Sequence, residues 1–411
     1  MRAAAQLRDL AIFGGSPAFA ESLHVGRPNI GDQELFLDRV KGILNRRWLT
    51  NQGPLVQEFE HRIAEVAGVS HCVAICNATV ALEIVIRATG LGGEVIVPSF
   101  TFVATAHALQ WLGITPVFCD ARRHDGTLDP DRVEALITPR TTGIIGVHLW
   151  GRPCGVEDLE EIARRRNLKL IFDAAHAFAC SYRGKPIGGF GDAEVFSFHA
   201  TKFLNSFEGG AITTNDPDLA GSVRLMSNFG FAGYDNVVSV GTNGKMTEVC
   251  AAMGLTSLAS MDELISVNLA NLEEYERGLR AVPGVSLIAH DRRERNNWQY
   301  VIVEVDEAEA GVSRDDLMKI LWAENVLARR YFYPGVHRME PYRSARPDAH
   351  RWLPNTEWLS GRVLALPTGT ALSAESIHRI CSIIGWTVAH AGEVRTRLAG
   401  LGHEERVPRR H

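Results

Sequence analysis

The sequence predicts an α/β fold with a large, mostly parallel sheet, followed by a smaller C-terminal α+β domain. From about residue 73 to residue 214, short apolar runs alternate with stretches of helical periodicity. Runs such as EVIVPS (94–99) and LKLIFD (168–173) show little polar alternation, which is typical of strands buried on both faces. This alternation of strands and helices indicates parallel strands joined by helical crossovers.

The N-terminal third of the chain begins with an irregular arm and continues with two helices. Glycine and proline interrupt any periodicity in the segments FGGSP and VGRP, so residues 1–30 are predicted to form the arm. Apolar residues then recur at helical spacing over about 32–45 and over 54–67.

The sheet region carries seven predicted strands and four predicted connecting helices. The strands are 73–76, 94–99, 116–120, 143–149, 168–173, 194–198 and 211–214. The helices are 80–88, 102–112, 131–137 and 156–166. A long helical pattern over 251–275 then leads out of the large domain.

The remaining elements form the smaller domain. A strand pattern covers 298–305, helical patterns cover 313–324 and 373–384, and a loop rich in tyrosine and proline covers 329–343. At about 150 residues per domain, 411 residues suggest two or three domains. The predicted division is an arm (1–30), a large domain (31–260), a small domain (261–390) and a charged tail (391–411).

Composition excludes several classes of function. The 43 basic and 48 acidic side chains give a formal charge of −5, without the basic excess of a nucleic-acid-binding protein. The seven cysteines show no CxxC pair, so neither a metal site nor a disulfide framework is expected. The N-terminal segment lacks a long apolar core and no stretch has the length of a membrane helix, so the expected location is the cytoplasm.

A carboxylate stands at the end of one predicted strand. Asp173 closes the apolar run 168–172, and ligands of open parallel sheets bind outside the carboxyl ends of the strands. The residues AAHAF follow directly, so capping of a helix is the alternative role for this aspartate.

A lysine follows another predicted strand in apolar surroundings. Lys202 lies four residues after the run 194–198 and close to several phenylalanines. Either it reaches a surface or a pocket holds it, and a desolvated lysine has the lowered pKa that Schiff-base chemistry requires. Gly209 and Gly210 would then let backbone approach a ligand closely.

The spacing of these two residues suggests pyridoxal phosphate (PLP). Lys202 stands 29 residues after Asp173, each at a strand end. The lysine would bond the cofactor aldehyde, and the aspartate would keep the ring nitrogen protonated so that the ring accepts electrons.

Many ordered blocks of the chain resemble the DegT/DnrJ/EryC1/StrS family of nucleotide-sugar aminotransferases. They include FGGSPAF, LTNQGPLVQEFE, NATVALEI, PSFTFVATAHA, FDAAHA, FSFHATK, FEGGAI, NFGF, GTNGKM and RRYFYPGVHRMEPY. The resemblance implies fold type I, the fold of aspartate aminotransferase. The versions HATKFLNSFEGGAI and RYFYPGVHRMEPY most resemble the branch that aminates C4 of dTDP-4-keto-6-deoxyglucose for antibiotic or surface sugars.

The resemblance implies three catalytic residues. Lys202 is the Schiff-base lysine and proton shuttle, Asp173 pairs with the pyridinium nitrogen, and His176 packs beside the ring or its phenolate oxygen. The cofactor would alternate between PLP and pyridoxamine phosphate.

Five further residues are implied to hold the cofactor. Ala78 and Thr79 open a helix whose free N–H groups would bind the phosphate, a ready anion site. Ser197 would add a hydroxyl, and Phe102 would stack on the ring. Asn228 would reach the phosphate of the neighbouring subunit's cofactor, so the resemblance implies a homodimer. The alternatives are capping by Asn77 for the helix start and plain core packing for Phe102.

The resemblance also points to substrate-facing segments. The candidates for contact with the sugar nucleotide are Asn243, Lys245, Tyr331, Tyr333, His337, Tyr182 and Arg183. Solvated or interface positions are the alternative for each of them.

The implied reaction is ping-pong transamination from L-glutamate to the C4 ketone of dTDP-4-keto-6-deoxyglucose. One alternative is a C3 aminotransferase acting on a 3-keto sugar, which would differ only in its pocket. A second is a PLP-dependent sugar dehydratase, whose branch replaces the lysine by histidine, whereas Lys202 is present here. A third is a PLP-binding regulator without turnover.

Overall fold

Seven strands form the central sheet of the computed structural model, which describes residues 7–400. They are β1 (His71–Ile75), β2 (Glu94–Pro98), β3 (Thr115–Cys119), β4 (Thr141–Val147), β5 (Lys169–Asp173), β6 (Ala193–Ser197) and β7 (Gly210–Thr214). Their order across the sheet is β1-β7-β6-β5-β4-β2-β3. Strand β7 runs antiparallel to β1 and β6, and all other neighbouring pairs are parallel. The predicted mostly parallel sheet is confirmed.

Helices accompany this sheet, and some of them pack on each of its two faces. They are α1 (Gln33–Arg46), α2 (Pro54–Ala67), α3 (Ala78–Ala88), α4 (Ala104–Trp111), α5 (Pro130–Leu136), α6 (Val156–Arg166), α7 (Pro217–Met226), α8 (Glu248–Ala259) and α9 (Met261–Leu279). Val73 packs in one apolar cluster with α3, α4 and α7, whereas its neighbour Ala74 packs in another with α2 and α8. Because successive strand residues point to opposite faces, this explains the nearly continuous apolar strand sequences.

A smaller antiparallel sheet forms the C-terminal part. Its strands β8 (Val285–Leu287), β9 (Val301–Val305) and β10 (Val363–Leu366) pair in that order. The accompanying helices are α10 (Arg314–Ala323), α11 (Pro354–Arg362), α12 (Ala374–Ala389) and α13 (Ala391–Ala399). Buried residues of α10, α12 and α13 form one apolar cluster with α9 and one face of the small sheet. The other face of the small sheet and Leu359 of α11 share a second cluster with residues of the large sheet region, such as Phe100 and Val147.

The long helical pattern over 251–275 proves to be two helices. Helix α8 ends and α9 begins at Ser260, whose φ of −103° and ψ of 8° break the helical path. Helix α8 is buried nearly all round, whereas α9 buries one side. The apolar pattern continues through the junction, and serine is tolerated within helices, so periodicity alone predicted one helix.

Both ends of the described chain pack on the C-terminal part. Leu10 of the arm and Val394 of α13 are buried in its apolar cluster. Residues 391–399 of the predicted tail are therefore a packed helix, while 1–6 and 401–411 lie outside the described residues. The domain boundaries at 30, 260 and 390 stay a prediction. Within residues 7–400, no helix combines the length and apolarity needed to cross a membrane.

Candidate active site

Asp173 is the last residue of β5 and is buried beneath the carboxyl edge of the sheet. Its Oδ2 accepts a hydrogen bond from Thr105 Oγ1 at 2.8 Å, and its Oδ1 accepts one from the Ala175 amide at 3.1 Å. Burial raises the pKa of Asp173, while these two bonds and the nearby charge of Lys202 oppose the rise. The residues that follow form turns, not the helix that a capping role would need.

Lys202 lies in the loop after β6, facing Asp173. Its Nζ donates to Tyr300 Oη at 3.3 Å. Burial lowers the pKa of Lys202 to about 8, although the charge of Asp173 acts in the opposite direction. The pocket, not the surface, therefore holds this lysine, and a substantial fraction of its amine is neutral near pH 8.

His176 completes the group of titratable side chains. Its Nδ1 accepts a hydrogen bond from the Trp150 amide at 3.2 Å. Burial and the charge of Lys202 lower the pKa of His176 well below its ordinary value. The neutral ring therefore carries its proton on Nε2, because Nδ1 is already an acceptor. Trp150 is fully buried and left-handed (φ 55°), an uncommon conformation that presents its amide to the imidazole.

The start of α3 has the features of a phosphate site. Asn77 Oδ1 caps the Val80 amide at 2.9 Å, which leaves the amides of Ala78 and Thr79 without an acceptor within residues 7–400. Gly210 pairs with Ser197 on β6, and a Cβ on this glycine would lie 2.7 Å from the Ala78 nitrogen. The free amides, the nearby serine and the glycine cradle fit the phosphate end of PLP.

Several aromatic side chains lie close to His176 and Tyr300. Phe102 is 55% exposed although apolar, so its ring is available to stack on a ligand. Phe332 lies 6.2 Å from that ring and stacks on His176 with an interplanar angle of 5°. Tyr331 packs against Phe332 at 5.0 Å and against Tyr300 at 6.4 Å. A flat aromatic ligand would therefore find ring contacts beside Lys202.

Asn228, Asn243 and Lys245 form a second group, at the β1 edge of the sheet. Lys245 Nζ donates to Asn228 Oδ1 at 2.8 Å and lies 4.7 Å from the centre of the Phe229 ring. Asn228 and Asn243 face each other in an antiparallel bridge, and Lys245 bridges to Ile75 at the end of β1. Burial lowers the pKa of Lys245. The structure thus joins three residues that the sequence assigned to two different ligands.

Two predicted substrate residues, His337 and Tyr333, contact other protein groups. His337 is buried, with Nδ1 bonded to Ser99 Oγ at 2.7 Å and Nε2 to Glu357 Oε1 at 2.6 Å. Both ring nitrogens are engaged, so these contacts give no support to the predicted sugar contact of His337, which stays a prediction. The Tyr333 ring lies under the guanidinium groups of Arg330 and Arg314, at 4.2 and 5.3 Å. The predicted place of Tyr333 in the sugar pocket therefore lacks support from its contacts.

Tyr182 and Arg183 occupy the predicted hairpin, formed by Ser181–Tyr182 and Lys185–Pro186. Arg183 pairs with Glu157 at 2.6 Å, with both side chains exposed. An exposed ion pair of this kind contributes little to stability, so Arg183 could exchange Glu157 for another anion. Their contact with a nucleotide stays a prediction.

Three residues of the site escaped the sequence analysis, namely Thr105, Trp150 and Tyr300. Thr105 lies one helical turn after Phe102 in the block TFVATAHA, and this spacing is the one local signal that could have found it. Trp150 contributes a backbone amide, which any residue type could supply. Tyr300 comes from the smaller sheet region, 98 residues beyond Lys202.

The site lies within the part of the chain that matches a known family. Residues 31–385 match the DegT/DnrJ/EryC1/StrS aminotransferase family. Two relatives are named dTDP-4-amino-4,6-dideoxy-D-glucose transaminase. The one from Shigella dysenteriae is 36% identical, over 88% of this chain and 98% of the relative. The one from Escherichia coli is 34% identical, over 89% of this chain and 98% of the relative.

Solved structures extend the likeness to three dimensions. The structure of DesI in the presence of its TDP-sugar product is 51% identical, with a TM-score of 0.92 over 96% of this chain and all of that chain. Helicobacter pylori PseC, an aminotransferase involved in the biosynthesis of pseudoaminic acid, is 27% identical. Its TM-score is 0.84 over 90% of this chain and all of that chain.

Proposed function

Because this chain belongs to the DegT/DnrJ/EryC1/StrS aminotransferase family and depends on pyridoxal phosphate, we propose that it transfers an amino group from L-glutamate to the C4 ketone of dTDP-4-keto-6-deoxyglucose. The product would be a dTDP-linked 4-amino-4,6-dideoxy sugar. The names of the Shigella and E. coli relatives and the TDP-sugar product of DesI support this substrate class. Biosynthesis of an antibiotic or a surface glycan is the proposed setting.

The observation that carries the proposal is the placement of Lys202 opposite Asp173 at neighbouring strand ends. PLP, when bound, supplies an aldehyde for the lysine and a ring that accepts electrons from the reacting carbon. Asp173 would hold the ring nitrogen protonated, because an ionised buried carboxylate stabilises a neighbouring cation. Thr105 and Ala175 keep that carboxylate in place through their hydrogen bonds.

Lys202 has the properties of a proton shuttle. Its lowered pKa, about 8, gives the amine both protonation states at moderate pH, which a general base requires. Lys202 Nζ would take a proton from the carbon that bears the incoming amino group. The resulting ammonium would give this proton to the cofactor carbon, and the two transfers would run in reverse when the amino group passes to the sugar.

The remaining residues would orient the cofactor. The amides of Ala78 and Thr79 and the hydroxyl of Ser197 would hold the phosphate. Phe102 would stack on one ring face, and His176 would pack beside the ring with Nε2–H available as a donor. The free amides of Ala78 and Thr79, the exposed ring of Phe102 and the free Nε2 of His176 support these roles.

We also propose a homodimer in which Asn228 reaches the cofactor phosphate of the partner. The support is an apolar surface that directly follows this asparagine. Its exposed residues are Phe229, Phe231, Tyr234, Val237, Val238 and Val240. Contiguous exposed apolar residues of this kind mark protein interfaces. Because Lys245 bonds to Asn228, the lysine would serve the same shared site.

The test is product identification. The purified holoprotein is mixed with L-glutamate and dTDP-4-keto-6-deoxyglucose, and the sugar product is identified by mass spectrometry and NMR. We expect 2-oxoglutarate and a 4-amino-4,6-dideoxy sugar in equal amounts. Bleaching of the yellow cofactor by glutamate without amination of this sugar would overturn the acceptor assignment, and a 3-keto sugar would be tested next. No reaction with any amino donor would favour a regulator.

A further inference from the structure

The hydroxyl of Tyr300 is the hydrogen-bond partner of the Lys202 amino group. The distance from Lys202 Nζ to Tyr300 Oη is 3.3 Å, and the nitrogen lies 5.9 Å from the centre of the ring. Within residues 7–400, this hydroxyl has no other hydrogen-bond partner. We propose that Tyr300 is a positioning residue that holds the amino group of Lys202 whenever this lysine is not bonded to the cofactor. The inference rests on the proposed role of Lys202 as proton shuttle.

Bonds to the large sheet region fix Tyr300 in this place. Asn297 Nδ2 donates to the carbonyls of His176 and Phe178 at 2.9 and 3.0 Å. Gln299 Nε2 donates to the carbonyl of Thr201 at 3.4 Å. The segment that carries Tyr300 is therefore tied to the backbone beside both His176 and Lys202. A change in the separation of the two sheets would have to break these bonds.

Burial and ring contacts keep the phenol neutral and oriented. Tyr300 is buried, and its ring lies 4.6 Å from that of His176. Burial, with the nearby Tyr331 and Asp173, raises the pKa of Tyr300 well above its ordinary value. The oxygen is thus a neutral acceptor, and it stays protonated throughout the range in which Lys202 titrates.

The neutral hydroxyl of Tyr300 can hold the Lys202 amino group without engaging Asp173. A free lysine side chain has four rotatable bonds, and Asp173 attracts its protonated form. A direct ion pair with Asp173 would occupy the carboxylate that the cofactor ring requires. A bond to Tyr300 holds the amine in the pocket and leaves Asp173 free.

The proton balance needs no other group. When Lys202 takes a proton from the substrate carbon, the amine lone pair forms the new N–H bond and the electron pair of the broken C–H bond stays with the substrate and cofactor. The ammonium then donates one N–H to Tyr300 Oη. It would later give this proton to the carbon of the cofactor aldehyde, whose new C–H bond takes up that electron pair, and the amine would be neutral again. Tyr300 neither gains nor loses a proton, so it acts through Lys202.

The test separates placement of the lysine from shape of the pocket. Apoprotein is mixed rapidly with PLP, and covalent capture by Lys202 is followed by absorbance. Affinity for pyridoxamine phosphate, which forms no bond with the lysine, is measured by titration. For Tyr300→Phe we expect capture to slow roughly 10- to 100-fold at saturating PLP, because a small displacement of a reacting group has effects of this size. Affinity for pyridoxamine phosphate should stay within about twofold of wild type.

The matched control is Tyr342→Phe, which removes another buried tyrosine hydroxyl, one that bonds to His107 Nδ1 at 2.8 Å. It should capture PLP at the wild-type rate. Tyr300→Phe keeps the ring, and among the described residues only the Lys202 amino group loses a hydrogen-bond partner. The variant should therefore melt at a temperature close to that of wild type. An unchanged capture rate would overturn the inference, as would an equal loss of affinity for pyridoxamine phosphate. Neither measurement uses the sugar, so an error in the proposed acceptor leaves this test intact.

Discussion

Thr105 donates its hydroxyl hydrogen to Asp173 Oδ2 over 2.8 Å, and both residues are buried. The bond joins the first turn of α4 to the end of β5. Burial raises the pKa of Asp173, and the Thr105 bond is the largest influence opposing that rise. The threonine therefore favours the ionised form that the cofactor nitrogen needs.

Replacing Thr105 by valine should raise the pKa of Asp173 further. A hydrogen bond to a charged group contributes about 1.5–3 kcal/mol, and 1.36 kcal/mol corresponds to one pKa unit. The acidic limb of the rate profile for the glutamate half-reaction should therefore move up by about one to two pH units. Stopped-flow absorbance between pH 5 and 9 would measure the shift.

Thr105→Ser is the control, because it keeps the hydroxyl and loses one methyl group. Its acidic limb should stay close to that of wild type. If valine and serine give the same profile, the Thr105 hydroxyl does not control the ionisation of Asp173.

Local signals explain how much of the fold could be predicted. The predicted bounds of α2 agree with the structure, because Pro54 occupies the first turn and Gly68 ends the helix in the left-handed region with φ 65°. The break at Ser260 carries no such signal. The break lies between α8, which is buried nearly all round, and α9, which is buried on one side. This difference in burial depends on tertiary packing, which the local sequence does not show.

The same distinction applies to the site. Asp173 and Lys202 could be found because each follows an apolar strand whose end faces the ligand edge of the sheet. Tyr300 could not, because its contact with Lys202 depends on how the smaller sheet packs against the larger one. The contacts of His337 were hidden for a related reason: a polar aromatic residue in a loop can turn inward, and this one bonds to Ser99 and Glu357.

Replacing Lys202 by alanine should abolish turnover. The variant loses both the covalent partner of the cofactor and the proton shuttle, and general acid–base catalysis alone contributes about 10²–10⁴-fold. It should still bind pyridoxamine phosphate, because the phosphate and ring contacts remain. Steady-state assay and titration would measure the two effects. Lys169→Ala, which removes an exposed lysine paired with Asp192, should retain wild-type turnover. Near-normal turnover of the Lys202 variant would refute its assigned role.

A shared site in the proposed homodimer makes a distinct prediction. Asn228→Ala and Lys202→Ala should each be impaired alone. In a mixed dimer, one site would contain both defects and the other would be intact, if Asn228 serves the partner's cofactor. Unfolding, refolding and reassembly of the two variants in equal amounts should recover about a quarter of wild-type activity.

The outcome depends on where Asn228 acts. If it serves the cofactor of its own chain, each site of the mixed dimer keeps one defect and activity does not recover. Analytical ultracentrifugation of each variant would verify that both still form dimers. A monomeric wild-type protein would refute the shared site directly.

Capture of PLP by the apoprotein should follow the ionisation of Lys202. Burial lowers the pKa of this lysine to about 8, and only the neutral amine attacks the aldehyde. The capture rate should therefore rise with pH, reach half its maximum near pH 8 and level off above it. Because the charge of Asp173 raises the pKa of Lys202, Asp173→Asn should move this midpoint to lower pH. Stopped-flow mixing with saturating PLP from pH 6 to pH 10 would measure both midpoints.

A wild-type midpoint near the ordinary lysine value of about 10.4 would mean that the pocket does not desolvate the amine. An unchanged midpoint in the asparagine variant would mean instead that Asp173 and Lys202 do not sense each other's charge.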